Sequence, residues 1–200
     1  MLPPSARSAS WRVPSKPAAA PSGRIKAVKI LVAGVGNLLR GDDAFGVHVV
    51  QRLEQISLPE GVKVVEVGIS GIALVQELMQ RYDACIVVDA ANRGGAPGTL
   101  WLLEPEIEIP GGKDAEQLHR ELVDMHYADP SRALLLAAAL GVKPTQVYVL
   151  GCQPADVDEM TETVSPAVER AVAEAVRMIQ ELIARLRQEA LKGEGGREAP

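Results

Sequence analysis

Cysteine is scarce in this chain, with two residues, Cys85 and Cys152, in 200. Two isolated thiols make neither a disulfide framework nor a CxxC motif. Cys85 sits in the apolar run Ala84–Val88 and is expected to be a buried thiol. That suits a reducing compartment, and the cytoplasm is the expected location. Aromatic residues form only 3% of the chain, so the core is expected to be Val, Leu, Ile and Ala. A basic excess is also missing: 21 Lys and Arg stand against 26 Asp and Glu, a net charge of −5. That balance leaves no electrostatic footprint for nucleic acid. There is no apolar run of about 18 residues, so no membrane-spanning helix is expected. Several catalytic signatures are lacking too. There is no HExxH and no Walker A loop. Gly34-Val35-Gly36-Asn37-Leu38-Leu39 fails the dinucleotide fingerprint, because Leu39 stands where its third glycine belongs. Gly68-Ile69-Ser70-Gly71-Ile72 resembles a nucleophile elbow, but Ile72 occupies the final glycine position.

What is present is 47% hydrophobic residues, enough for the core of one domain. Residues 1–26 are rich in Ser, Pro, Ala and basic residues and contain no acid. They lack the apolar stretch of a secretory signal and are expected to be a disordered extension. Residues 27–190 read as the domain, and 191–200 as a disordered tail. Val28–Gly34 is a continuous apolar run, the mark of a strand buried on both faces. The segment from Asp43 to Ile56 keeps helical spacing at Phe45, Val49, Leu53 and Ile56, with Asp42 or Asp43 as its expected cap. Val62–Val67, Ala84–Ala90 and Gln146–Leu150 read as strands, and Gly71–Arg81 and Ser131–Leu140 as helices. Ser165-Pro166 opens a last helix running to about Ala190, with proline at the first helical position. Thr99–Leu103 follows a turn too short for a parallel crossover, so it should run antiparallel to the third strand. Glu104–Glu121 reads as a long loop. This alternation predicts an α/β fold with helices on both faces of a mostly parallel sheet.

In such sheets ligands bind beyond the carboxyl ends of the strands, at a switch point in the strand order. That rule selects Asn37, Asp42 and Asp43 after the first strand, Glu66 at the end of the second and Asp89 at the end of the third. Asp89 follows Cys85-Ile86-Val87-Val88, where an unpaired carboxylate would face a large desolvation penalty. Asp43 alone reads as a helix cap, and Glu66 alone as a loop anchor. Of the three histidines, His48 lies within a helix and is expected to be structural. His119 and His126 lie in or just after the long loop. Two carboxylates with one imidazole are a usual ligand set for zinc or nickel, and the loop carrying His126 is long enough to fold over the rim.

Several blocks of the chain together resemble the hydrogenase maturation proteases. They are Gly34-Val35-Gly36-Asn37-Leu38-Leu39-Arg40-Gly41-Asp42-Asp43-Ala44-Phe45-Gly46-Val47; Glu66–Gly71; Ile86-Val87-Val88-Asp89-Ala90 with Pro97-Gly98-Thr99; His126; Val149-Leu150-Gly151-Cys152-Gln153-Pro154; and Val164–Val168. The resemblance spans roughly residues 28–185. It implies a three-layer α/β/α sandwich whose five-stranded sheet has one antiparallel strand. It implies an endopeptidase that removes the C-terminal extension of a nickel-iron hydrogenase large-subunit precursor after nickel insertion. In the family's pattern the metal ligands map to Asp43, Asp89 and His126, with Asp43 and Asp89 the catalytic carboxylates and Asn37 and Glu66 substrate contacts. The metal implied is nickel carried by the substrate, which cadmium or zinc can replace at the site. Two positions depart from the family: its first ligand is often Glu, here Asp43, and its second strand often ends in Asp, here Glu66. Two other classes fit the residues as well: a self-sufficient metal-dependent peptidase or amidohydrolase, and a non-catalytic nickel-delivery module.

Overall fold

Every residue of the first strand, β1 (Ile30–Val35), is buried. Its alternation sends Ile30 and Val32 into one apolar cluster and Leu31, Ala33 and Val35 into another. The computed structural model describes residues 28–107 and 130–195. After β1 come a 3₁₀ turn at Gly41–Ala44, α1 (Phe45–Glu54), β2 (Val62–Gly68), α2 (Gly71–Leu78), β3 (Ala84–Ala90) and β4 (Leu100–Leu103). The second described segment holds α3 (Pro130–Ala139), β5 (Gln146–Cys152) and α4 (Pro166–Gly195).

The strands form one five-stranded sheet in the order β2-β1-β3-β5-β4. The pairs β1–β2, β1–β3 and β3–β5 are parallel, and β4–β5 is antiparallel. β4 thus runs against β3, as the short turn requires, but β5 lies between them. One face is covered by α1 and α4 through Phe45, Val49, Leu53, Val172, Ile179 and Ile183. The other is covered by α2 and α3 through Leu74, Leu78, Leu134 and Ala137. The result is the expected three-layer α/β/α sandwich.

Two element ends differ from expectation. α1 starts at Phe45, with Ala44 as its N-cap and no side-chain cap. Neither Asp42 nor Asp43 caps it, because both lie in the preceding 3₁₀ turn. The tail expected to be disordered from 191 instead continues α4 to Gly195. The run Glu189-Ala190-Leu191-Lys192 consists of strong helix formers and propagates the last turns. Elsewhere the caps are as the sequence suggests. Ser70 Oγ accepts the Ala73 amide at the start of α2, and Ser165 Oγ accepts the Val168 amide ahead of Pro166. The hydroxyl of the elbow-like Ser70 is therefore a helix cap. The extension 1–26, His119, His126 and most of the expected long loop lie outside the described residues.

Candidate active site

The chain leaves β1 toward β2 on one side and returns to lay β3 on the other, so the strand order reverses between β1 and β3. The loops at the carboxyl ends of these two strands flank a crevice, where an open α/β sheet binds its ligand. Asp43 comes from the first loop and Asp89 from the last part of β3, and the 3₁₀ turn carrying Asp43 packs against β3.

Backbone shape fixes the first loop. Gly36 has φ +137°, and a Cβ there would lie 1.9 Å from the Asp43 carbonyl oxygen. Only glycine lets the turn fold back this closely. The Asn37 amide donates to Asp43 Oδ2 at 2.9 Å, and Asn37 Oδ1 accepts the Leu39 amide at 3.0 Å. Asn37 thus organises the loop around Asp43. Burial pushes the Asp43 carboxyl above the ordinary aspartate range, against the opposing pull of the Asn37 amide and the Arg40 charge. A carboxylate short of water in this way is stabilised by any cation brought to it.

Asp42 does different work. It is 2% exposed, and its two oxygens accept the amides of Ala155 at 2.7 Å and Ser165 at 2.6 Å. It ties the loop after β5 and the start of α4 to the 3₁₀ turn. Of the two adjacent acids, Asp42 is buried and holds the scaffold, and Asp43 is half-buried and held by the Asn37 amide.

Glu66 is exposed on β2, ahead of the strand's end, and its Oε2 accepts from Gln51 Nε2 of α1 at 3.3 Å. Its alternation matches Val62 and Val64 on the α1 face, whereas Asp89 alternates with Cys85 and Val87 toward α2 and α3. The three acids expected on one rim are thus not gathered into one cluster. Among the described residues, no three His, Cys, Asp or Glu side chains come together as a metal site. His48 is half-buried, and among the described residues its Nε2 has no hydrogen-bond partner. Burial pushes both thiols, Cys85 and Cys152, up to about 12. Neither is a nucleophile at neutral pH.

One organising residue escaped the sequence reading. Gln153 is buried, and its Oε1 accepts the amides of Arg93 at 2.8 Å and Gly95 at 3.1 Å. Its Nε2 donates to Asn92 Oδ1 at 3.0 Å and to the Pro154 carbonyl at 3.2 Å. This single amide pins the turn that follows Asp89 and β3. Its only sequence signal was membership of the Gly151-Cys152-Gln153-Pro154 block.

Fold and crevice define a doubly wound α/β protein that presents carboxylates at the strand ends and has no reactive thiol. The hydrogenase maturation protease family profile matches residues 47–182, which include position 89 and begin just after Asp43. Hydrogenase expression/formation protein HoxM of Azotobacter vinelandii is 34% identical over 159 residues, covering 79% of this chain and 73% of its own. Hydrogenase expression/formation protein HupM of Azotobacter chroococcum is 36% identical over 157 residues, covering 76% and 72%. The hydrogenase maturating endopeptidase HybD from E. coli superposes with a TM-score of 0.64 at 27% identity, over 79% of this chain and 93% of HybD. The chain belongs to the hydrogenase maturation protease family and is an endopeptidase, a hydrolase of peptide bonds.

Proposed function

We propose that this endopeptidase removes the C-terminal extension from the precursor of a nickel-iron hydrogenase large subunit, in the cytoplasm, once nickel has been inserted. The observation that carries this reading is Asp43: a partly desolvated carboxylate at the switch-point crevice, with one oxygen held by Asn37 and Asp89 on the neighbouring strand. Nickel arrives as part of the substrate. Asp43, Asp89 and His126 are its contacts, and oxygen and imidazole donors suit nickel, zinc or cadmium. The start of α3, shortly after His126, supports that assignment. α3 leads into the amino end of β5, so its first residue, Pro130, lies at the carboxyl rim. It lies on the sheet face to which Asp89 alternates. Asn37 and the exposed Glu66 contact the polypeptide.

The division of labour follows from the protein groups. Metal contact holds the scissile peptide against the rim, and such positioning lowers a barrier by roughly 7–11 kcal/mol when geometry is well matched. Asp43 and Asp89 are the crevice carboxylates placed to orient the attacking water and take its proton. Because the contact groups come from an open rim, a precursor without nickel lacks its anchor, and cleavage becomes a checkpoint on nickel insertion.

The test is cleavage of purified large-subunit precursor with and without inserted nickel, using chelator-treated enzyme. Nickel-loaded precursor is cut and nickel-free precursor is not, and Asp89→Asn abolishes the cut while circular dichroism stays native. Equal cutting of nickel-free precursor identifies a self-sufficient metallopeptidase instead. Binding of nickel or precursor without any change in precursor length identifies a delivery module.

A further inference from the structure

Asp89 and Ala90 are the last residues of β3 in its ladder with β5, where they pair with Gly151 and Cys152. Beyond them the chain leaves the sheet in a turn, and residues 92–95 are all exposed. An exposed turn at a strand end usually takes its hydrogen bonds from water and opens easily. This one is held from inside. The buried side chain of Gln153 accepts the Arg93 and Gly95 amides at 2.8 and 3.1 Å and donates to Asn92 Oδ1 at 3.0 Å. Gly95 also rests on the indole of Trp101, where a Cβ would lie 3.0 Å from Cζ2. Trp101 pairs with Gly151 from the other side, so Asp89 and Trp101 stand in one row across the sheet. Gln153 is itself fixed: its main-chain amide donates to the Thr99 carbonyl and its carbonyl accepts the Gly98 amide, both at 2.8 Å. Two residues on, the Ala155 amide donates to Asp42 Oδ2 at 2.7 Å, in the 3₁₀ turn that carries Asp43. The chain leaving β5 thus holds both acid-bearing loops, one through Gln153 and the other through Ala155.

We propose that Gln153 is a positioning residue for peptide cleavage: by holding residues 92–95 it keeps the end of β3 from fraying, and so fixes Asp89 relative to Asp43 when the precursor binds. The inference rests on the function and on the roles of Asp43 and Asp89 proposed above, and adds the residue that keeps the two acids in register. A primary amide suits the task, since one group accepts two main-chain amides and donates to Asn92 and to the Pro154 carbonyl. Rigid support of this kind matters because a displacement of about 1 Å at a reacting group can cost on the order of a hundredfold in rate. It is also separable from folding. The Arg93 and Gly95 amides belong to exposed residues, so on losing Gln153 they can turn to water and the loosening stays local.

Two variants test this: Gln153→Met, which keeps most of the side chain's bulk without its amide, and Asn92→Ala, which removes one partner at the surface. Ile183→Val, in the core between α4 and the sheet, is a control that lowers stability away from the rim. Amide hydrogen exchange and cleavage of purified nickel-loaded precursor are measured on each chain. In Gln153→Met the Arg93 and Gly95 amides should exchange at least about tenfold faster, while those of β1 keep their protection. Its kcat should fall at least about tenfold with KM within about twofold, the pattern of a group misplaced at the reacting bond. Asn92→Ala should move both readings the same way by about threefold, and it alone decides the matter if Gln153→Met does not fold. Ile183→Val should melt earlier with wild-type kcat. Wild-type kcat in the folded variants, or unchanged exchange at Arg93 and Gly95, overturns the positioning role and leaves the peptidase reading standing. So does a raised KM at constant kcat, or a loss of kcat that Ile183→Val reproduces. A wild-type chain that leaves nickel-loaded precursor uncut overturns the proposed function and the positioning role together.

Discussion

In a 3₁₀ turn successive side chains point about 120° apart, so two adjacent acids cannot share one environment. Asp42 is buried, whereas Asp43 is half-buried. Their substitution should therefore have opposite consequences. In Asp42→Asn one of the two amides at Ala155 and Ser165 faces an NH2 group in place of an acceptor. We expect a loss of about 2–3 kcal/mol in urea unfolding at pH 7, the usual penalty for stranding a buried donor against a charged partner. Asp43→Asn keeps an oxygen for the Asn37 amide and removes a desolvated charge. It should match or exceed wild-type stability yet fail to process precursor. A stable Asp42→Asn with an unstable Asp43→Asn would reverse the two roles. The sequence alone could not tell these acids apart, because both suit a cap and both precede an apolar helix. It also hid Gln153, whose partners Asn92, Arg93 and Gly95 are distant in the chain. A lone Gln in a strand-end loop carries no periodic signal. Asp89 was legible for the opposite reason: a carboxylate ending a wholly apolar strand is conspicuous without any structure.

At the scale of elements, periodicity located the helices and strands, but not how closely they approach. α1 crosses the sheet at Gly46, where a Cβ would lie 2.2 Å from the Val88 carbonyl oxygen and 2.3 Å from that of Val35. Both obstacles are main chain in buried strands and cannot turn aside. Gly46→Ala should cost about 3 kcal/mol through displacement of α1, and thermal unfolding would show it. A wild-type melting temperature would mean that α1 sits higher above the sheet than described. The place of β4 was half legible. A short turn dictates its direction, but that β5 inserts beside β3 depends on a much later strand. A second tie between elements has a pH signature. Glu77 of α2 meets Lys63 of β2 at 2.7 Å and accepts the hydroxyl of Tyr82, just ahead of β3. Burial pushes the Glu77 carboxyl up, but hydrogen bonds from Lys63 and Tyr82 and the Lys63 charge outweigh it and hold it below the ordinary range. Burial and Glu77 together push the Tyr82 hydroxyl upward. A depressed carboxyl contributes stability that is present above its unfolded pKa and lost as pH falls through the folded one. Glu77→Gln should thus be less stable than wild type by about 1 kcal/mol at pH 7, discounted for the exposed Lys63. The deficit should close on acidification below the ordinary glutamate range. A deficit that stays constant down to pH 3 would assign the loss to packing.

Across the whole molecule, the described core closes between Ile30 and Leu186, in two clusters on either side of the sheet. That architecture was legible because a strand buried on both faces and an amphipathic helix leave unlike patterns in sequence. The ties between loops were not, since Gly36 and Gly68, or Leu39 and Thr161, become partners only when the loops fold. The chain ends follow from the same core. Residues 1–24 carry five prolines, three arginines and a lysine but no acid and no periodic apolar face. At the other end, Leu186 is the last core residue of α4, and the helix runs on to Gly195 beyond it. A terminal stretch without a periodic apolar face has little to bury, so trimming residues 1–24 should be tolerated. We expect a chain of residues 25–195 to unfold at the wild-type temperature and to cut nickel-loaded precursor with unchanged kcat and KM. The two measurements separate the roles an extension can have. A raised KM at constant melting temperature would give the basic N-terminal stretch a part in holding the precursor. A lowered melting temperature would show that it packs on the domain.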